Sequence, residues 1–260
     1  MLRSMLIGTA LSLCLALPAF AADIAAYTEE LPPLNYQRQD QVAGFASDLL
    51  AAMADKAGLS VSRQVLPWPR AYAMVQNTPD TLLYSTTRTP EREDQFRWVG
   101  PIGQRRIYLY RLERRKDIRL HTQDQLLQYR VSAMFESASQ KRLQEMGLVL
   151  DKELDVGRSD LVNLTKLKAG RVDMVAMLDW AMAWQLPQAG MKPTDVKPAA
   201  LLDGRHQYWF ALNRQTSELK AQRLQAALDG LVKSGFVDHL RQRYLGKDAA
   251  PADLADFSRP

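Results

Sequence analysis

Residues 81–101 read Thr-Leu-Leu-Tyr-Ser-Thr-Thr-Arg-Thr-Pro-Glu-Arg-Glu-Asp-Gln-Phe-Arg-Trp-Val-Gly-Pro. The run Thr81–Ser85 is apolar enough to be a strand. Thr89-Pro90-Glu91 then carries the marks of a helix start: a hydroxyl N-cap, proline at the first position and an acid in the first turn. Between the two, Ser85, Thr86, Thr87, Arg88, Thr89 and Arg92 form the densest polar cluster of the chain. Hydroxyls, free backbone N–H groups and guanidinium converge where a strand hands over to a helix, which suits an anion such as a carboxylate. The alternative is an ordinary capped helix with Arg92 in a surface ion pair.

The same alternation extends in both directions. Upstream, Ile24–Thr28 is a short strand stopped by Glu29-Glu30 and Pro32-Pro33. Gly44-Phe45 leads into Ser47 as N-cap of a helix with Leu49, Leu50, Met53, Ala54 and Ala57 on one face, closed by Gly58. Val61–Leu66 is a strand, and Pro69 opens a helix carrying Ala71, Met74 and Val75. Downstream, Arg106–Leu112, Arg130–Phe135, Val172–Met177 and Tyr208–Leu212 read as strands. Thr122 with Gln125 forms a capping box, and Ser137–Met146 and a helix capped by Ser159 follow. A long helical pattern opens at Thr216 or Ser217, and Phe236–Leu245 is a last helix. The polar tail from Lys247 to Pro260 is expected to fray. Strands alternating with helices predict an α/β fold with a largely parallel sheet. No Gly/Ser linker occurs, so two lobes would be joined by strands.

The first 21 residues differ from the rest. Arg3 precedes an apolar run from Leu6 to Leu17, and Pro18-Ala19-Phe20-Ala21 offers small residues for a signal peptidase. That run is shorter than the roughly 20 residues of a membrane span; the alternative is an uncleaved N-terminal anchor. Cleavage would leave a chain from Ala22. The only cysteine, Cys14, lies within this leader behind Leu13, which does not fit a lipid-anchor signal. The exported chain then has no disulfide, no thiolate nucleophile and no cysteine-ligated metal.

The 260 residues are 47% hydrophobic and 24% charged, with 13 Gly and 13 Pro. This composition excludes disordered, collagenous and coiled-coil classes. The net charge of +5 is a mild excess, concentrated between Arg105 and Arg119. Glu113 and Asp117 interrupt that stretch, which favours a solvated strand end over a nucleic-acid surface. His121, His206 and His239 lack partners at metal-ligand spacing, and no phosphate-loop, dinucleotide or nucleophile-elbow motif occurs. Trp68, Trp98, Trp180, Trp184 and Trp209, with Tyr27, Tyr36 and Tyr84, supply core or the flat walls of a cleft.

The order of short motifs resembles the family 3 extracellular solute-binding proteins, the polar-amino-acid receptors of ABC transporters. Pro32-Pro33 follows the first strand, and Gly44-Phe45 precedes Asp48-Leu49. Thr89-Pro90-Glu91-Arg92 comes before Phe96 and Gly100-Pro101. Gly170-Arg171-Val172-Asp173 comes later, and Gly235-Phe236 precedes Tyr244-Leu245-Gly246. Pro67-Trp68-Pro69-Arg70-Ala71 and Phe96–Pro101 look like a less-characterised branch. The resemblance implies a two-lobed type II periplasmic-binding-protein fold with two strand crossings between lobes. Behind the signal peptide (1–21), lobe 1 would comprise 22–110 and 204–260, and lobe 2 would comprise 111–203.

By the same resemblance, Arg92 holds a ligand carboxylate, with Ser85 and Thr87 beside it and Ser137 at the start of a lobe 2 helix. Asp179 best matches the acid that takes a ligand ammonium, one residue further from Gly170 than the family spacing. The usual first-loop aromatic is Leu31 here, with Tyr36 nearby, and the usual glycine before Ser137 is Glu136. Trp68 is a further candidate wall of the cleft. The implied protein is a monomeric, periplasmic Venus-flytrap receptor without cofactor or metal. It would deliver a small polar, carboxylate-bearing ligand to an inner-membrane ABC permease. Two alternatives are a cyclohexadienyl-dehydratase-like enzyme, with Glu136 or Asp179 as proton donor, and a sensor for a membrane receptor kinase.

Overall fold

A computed structural model describes residues 22–246 and 254–258. The expected leader, with Cys14, lies outside them. Nine strands form one mixed sheet, and a small hairpin stands apart.

In the first half, β1 (Ile24–Thr28) lies between β4 (Val61–Val65) and β5 (Thr81–Thr87), parallel to both. The connections run through the hairpin β2 (Tyr36–Arg38) and β3 (Gln41–Ala43), helix α1 (Phe45–Ala57) and helix α2 (Trp68–Asn77). In the second half, β7 (Val131–Met134) lies between β8 (Leu154–Gly157) and β9 (Met174–Leu178), again parallel. Helices α3 (Ala138–Glu145) and α4 (Asp160–Lys168) make those crossovers, and α5 (Asp179–Gln188) follows β9 directly.

Two long antiparallel strands join the halves. β6 (Phe96–Leu112) has 17 residues and β10 (Val196–Asn213) has 18. One end of β10 pairs with β5, and the opposite end of β6 pairs with β9. The centre of the sheet is therefore antiparallel, which corrects the expectation of a largely parallel sheet. Helices α6 (Glu218–Lys233) and α7 (Phe236–Leu245) return to the first half.

Each half has its own core. Leu49, Leu50 and Met53 of α1 pack with Ile24, Leu82 and Tyr84 and with Leu224 and Leu228 of α6. Leu109, Val131, Leu143, Leu154 and Met174 form the centre of the second. Each fully buried Leu, Ile or Met side chain contributes about 1.5–3 kcal/mol, so either cluster can hold a lobe together. Cluster membership changes along the long strands, from Ile102 to Ile107 on β6 and from Leu202 to Tyr208 on β10. Between those points the β6–β10 register shifts, with Asp203 opposite Ile107 but His206 opposite Arg105.

Several local expectations change. Ser47 is not an N-cap; the N-cap of α1 is Gly44, three residues earlier, and Ser47 is buried against the Tyr84 hydroxyl. The element after Thr89 is a 3-10 turn, Pro90–Gln95, with no side-chain cap from Thr89 in the backbone geometry. The tail does not simply fray: β11 (Ala255–Asp256) pairs parallel with Ala200–Leu201 of β10. Phe257 is 3% exposed within the second core, its N–H donates to Leu201 O at 2.7 Å, and Arg142 Nη2 donates to its carbonyl at 2.9 Å. One buried ring outweighs the polar composition that suggested fraying. Phe257→Ala should lower stability by about 1.5–3 kcal/mol, the transfer value of the ring. It should also speed hydrogen exchange at the Phe257 amide; an unchanged urea midpoint would contradict this packing.

Candidate functional site

The polar cluster on β5 is shaped by a bulge. Tyr84 faces Phe210 and Thr86 faces Trp209, so Ser85 has no partner on β10. Its φ of 58° lies in the left-handed region, which costs a non-glycine residue about 1–2 kcal/mol. Bulges of this kind re-aim a side chain beside a site. Here the Ser85 hydroxyl donates to Asn35 Oδ1.

Asn35 ties that bulge to the first loop. Its Nδ2 donates to Glu29 O at 2.6 Å, and its carbonyl accepts from Leu31 N at 2.8 Å. The same loop supplies partners for the first N–H groups of α1: Phe45 N donates to Pro33 O and Ala46 N to Leu34 O. This close approach requires glycine at 44. Its φ is 118°, and a Cβ there would lie 2.5 Å from Leu34 O. The strand-stopping residues thus become a rigid wall.

Two guanidinium groups arise from the cluster, and the structure separates their roles. Arg88 is ion-paired with Glu93 and lies 4.6 Å over the Trp209 ring. Arg92 has no acidic side chain in salt-bridge range among the described residues. Its Nη1 donates to Thr87 O at 3.2 Å, and its carbon centre lies 5.5 Å from the Trp68 ring and 5.4 Å from Tyr72. Aromatic faces hold the cation in place and leave most of its donors uncommitted.

Ser85, Thr87, Arg92 and Trp68 line one cavity of about 230 Å³. Glu29 and Leu31 close it from the first loop, Arg105 and Tyr208 from the long strands, and Leu178 from β9. Arg105 is drawn towards Asp203 at 3.4 Å. Burial raises the Tyr208 hydroxyl above its ordinary range, keeping it a neutral donor. Burial likewise raises the Glu29 carboxyl from its ordinary 4.5.

The Glu29 shift has a consequence for stability. The folded state holds the Glu29 proton to higher pH than the unfolded chain does. Stability therefore falls as pH rises from the ordinary value through the raised one. Glu29→Gln should remove that slope. Asp160, raised by burial to about 6, titrates in the same region in both proteins, so the difference between them isolates Glu29. Urea unfolding from about pH 4 to about pH 7 measures it; a difference that does not vary with pH would contradict the burial of this group.

The other expected site residues lie elsewhere. Ser137 is the N-cap of α3, accepting from Gln140 N at 3.2 Å and donating to Met134 O at 2.6 Å. Asp179 pairs with Arg106 at 2.9 Å at the start of α5. Tyr36 packs on Trp184 of α5, with centroids 4.9 Å apart, while Trp180 packs on Phe45 at the same distance. Tyr36 therefore contributes to contact between the halves and not to the cavity wall. Glu136 is exposed.

Glu29, Arg105 and Tyr208 were missed as site residues for separate reasons. Glu29 reads as the end of a strand. Tyr208 reads as apolar strand core. Arg105 sits in a basic run whose other members are largely engaged: Arg106 with Asp179, Arg115 with Asp117 and Asp173, and Arg111 with backbone carbonyls. The signal for Arg105 was its position at the strand crossing.

A larger cavity of about 450 Å³ lies behind the crossing, between α5 and α7. Tyr108, Met182, Leu186 and Tyr244 make its walls mainly apolar, and its charged Arg106 and Asp179 are paired with each other. Arg241 there is paired with Asp238, and Lys197 is an exposed cation at the rim, without the aromatic faces and neighbouring hydroxyls that surround Arg92. Among the described residues no three His, Cys, Asp or Glu side chains converge as metal ligands, and no helix is long and apolar enough to cross a membrane.

The family model of bacterial extracellular solute-binding proteins, family 3, matches residues 24–247. Among solved structures, substrate binding domain 2 of Lactococcus lactis GlnP, in open conformation, is 18% identical with a TM-score of 0.70. That match covers 87% of this chain and 96% of the other. An ancestral cationic amino acid solute binding protein is 17% identical with a TM-score of 0.71, covering 85% and 95%. A histidine kinase sensor domain with similarity to periplasmic binding proteins is 20% identical with a TM-score of 0.64, covering 86% and 96%. No curated protein sequence matches. These likenesses bear out the expected type II periplasmic-binding-protein fold with its two strand crossings.

Proposed function

Because the chain belongs to the bacterial extracellular solute-binding proteins of family 3, we propose that it captures a small carboxylate-bearing ligand in the 230 Å³ cavity. The observation that carries this reading is the uncommitted Arg92 guanidinium, held between Trp68 and Tyr72 beside the Ser85 and Thr87 hydroxyls. A carboxylate accepts two parallel hydrogen bonds from such a group. Glu29 faces it from the first loop and suits a ligand ammonium, the role that the resemblance gave to Asp179. The ligand is bound and released unchanged, in the periplasm, for delivery to a membrane ABC permease.

We place lobe 1 at about residues 22–106 and 204–246, and lobe 2 between them together with the tail strand. The first boundary moves forward from the expected 110/111 because Ile107 and Leu109 pack in the second core. The tail moves to lobe 2 because Phe257 packs there. The shifted register at 203–206 suits a hinge, and closure over the ligand would bend there. A second reading, a sensor module of a membrane kinase, is favoured by the likeness to the sensor domain. Capture of the membrane partner distinguishes the two.

The test is thermal unfolding of the purified protein against amino acids, organic acids, amides and amines. A ligand at 100 times its Kd adds about 2.7 kcal/mol, which raises Tm by roughly 5–11 °C for a chain of this size. Carboxylate-bearing compounds should give the shifts, and their amide or amine counterparts none. Shifts produced equally by the decarboxylated amines would overturn the assignment.

A further inference from the structure

The ligand cavity does not end at Arg105. A second chamber of about 320 Å³ opens on the far side of Thr87 and Arg105, which line both spaces. Its outer wall is one face of α3, with Lys141 and Arg142, and its floor is the irregular stretch of β10 carrying Arg205 and His206.

The charges in this chamber do not balance. Asp203 is shared between Arg105 and Arg205, at 3.4 and 3.3 Å. Glu145 lies 3.8 Å from Arg142, which also donates to the Phe257 carbonyl. The Arg142 Nε is buried without a hydrogen-bond partner among the described residues. Lys141 has no acid in range among them. Two carboxylates thus face four permanent cations and an imidazole. An isolated α-amino acid on Arg92 would leave that excess unanswered.

We propose that the ligand is a dianion longer than a simple α-amino acid, with one carboxylate on Arg92 and a second anionic group in the Lys141–Arg205 chamber. Arg105 lies between the two ends, where its positive charge favours both anionic groups. The inference rests on Arg92 as the carboxylate anchor and deepens that reading. The four cations come from three elements, α3, β6 and β10, so binding the second group draws lobe 2 onto the strand crossing. Recognition at this end needs only negative charge at the right reach.

The experiment is calorimetric titration with straight-chain α,ω-dicarboxylates of about four to eight carbons, with and without an α-amino group, each beside the monocarboxylate of equal length. One chain length among the dicarboxylates should bind at least about tenfold tighter than its monocarboxylate, with the preference shrinking as salt rises. Lys141→Ala combined with Arg205→Ala should erase the preference and leave monocarboxylate affinity unchanged. Circular dichroism confirms that the variant is folded, and Lys141→Arg should retain the preference. A dicarboxylate series that binds no tighter than the monocarboxylates, or not at all, overturns the proposal. So does a double variant that keeps the preference. If Arg92→Ala leaves all these affinities unchanged, the underlying reading falls instead, because that result removes the first anchor and not the second.

Discussion

Arg92→Ala should weaken ligand binding by about 3–5 kcal/mol, the cost of removing one partner from a largely desolvated, hydrogen-bonded charge pair. This is a loss of roughly 150-fold to 4,000-fold in Kd. Arg92 makes one backbone hydrogen bond and no ion pair among the described residues, so folding should depend on it little. Its contacts with Trp68 and Tyr72 are worth about 0.5–1 kcal/mol each at a partly exposed site. Binding and stability should therefore separate, with affinity lost and the unfolding midpoint nearly kept. Arg88→Ala is the control. It removes the Glu93 ion pair and the packing on Trp209 and should leave most of the affinity. Equal losses from the two variants, by calorimetric titration, would contradict the separate roles given to these arginines.

Asn35→Ala should cost about 2–5 kcal/mol of stability. Asn35 is completely buried, and its side chain satisfies both the Ser85 hydroxyl and the Glu29 carbonyl. Truncation removes the only partner, among the described residues, of the buried Ser85 hydroxyl and leaves the Glu29 carbonyl with a long 3.5 Å bond from the Thr28 hydroxyl, at about 1–3 kcal/mol each. Tm should fall by roughly 4–20 °C. Affinity should fall as well, because this side chain holds the first loop against the β5 bulge. Asn35→Asp separates the two bonds. It keeps an acceptor for Ser85 but sets a buried carboxylate oxygen against Glu29 O, so its loss should be at least as large as that of Asn35→Ala and should shrink at acid pH, where the protonated acid can donate to that carbonyl. A variant as stable as the parent would show that the loop is held by its backbone bonds alone.

The sequence revealed most of the fold where burial is one-sided and continuous. Leu49, Leu50 and Met53 repeat at helical spacing because one face of α1 enters the core. Leu82 to Tyr84 form an unbroken apolar run because β5 is covered on both faces. The crossing was hidden because Gln104, Arg105 and Arg106 break the apolar run of β6 where it meets the cleft. The hairpin β2–β3 is held mainly by backbone pairing, and the four residues of β8 send only Leu154 and part of Val156 into the core, which leaves little hydrophobic pattern. The tail strand depends on Phe257, a single aromatic in a polar segment.

The site divided in the same way. Ser85, Thr87 and Arg92 were legible because they lie within eight consecutive residues that leave an apolar strand. Trp68 stood out as an aromatic between two prolines. Glu29, Arg105 and Tyr208 reach the cavity only through tertiary placement, and each looked ordinary in its own segment. Ser137 and Asp179 came from the resemblance alone, and the structure engages them in a helix cap and an ion pair outside the cavity.

The ligand is expected in the small cavity beside Arg92, and not in the larger apolar one behind the crossing. A crystal structure of the protein with the tightest-binding compound from the thermal screen tests it most directly. A ligand carboxylate is expected within about 3 Å of the Arg92 guanidinium, flanked by the Ser85 and Thr87 side chains. A ligand lodged among Tyr108, Met182 and Tyr244, or one presenting no anion to Arg92, would contradict it.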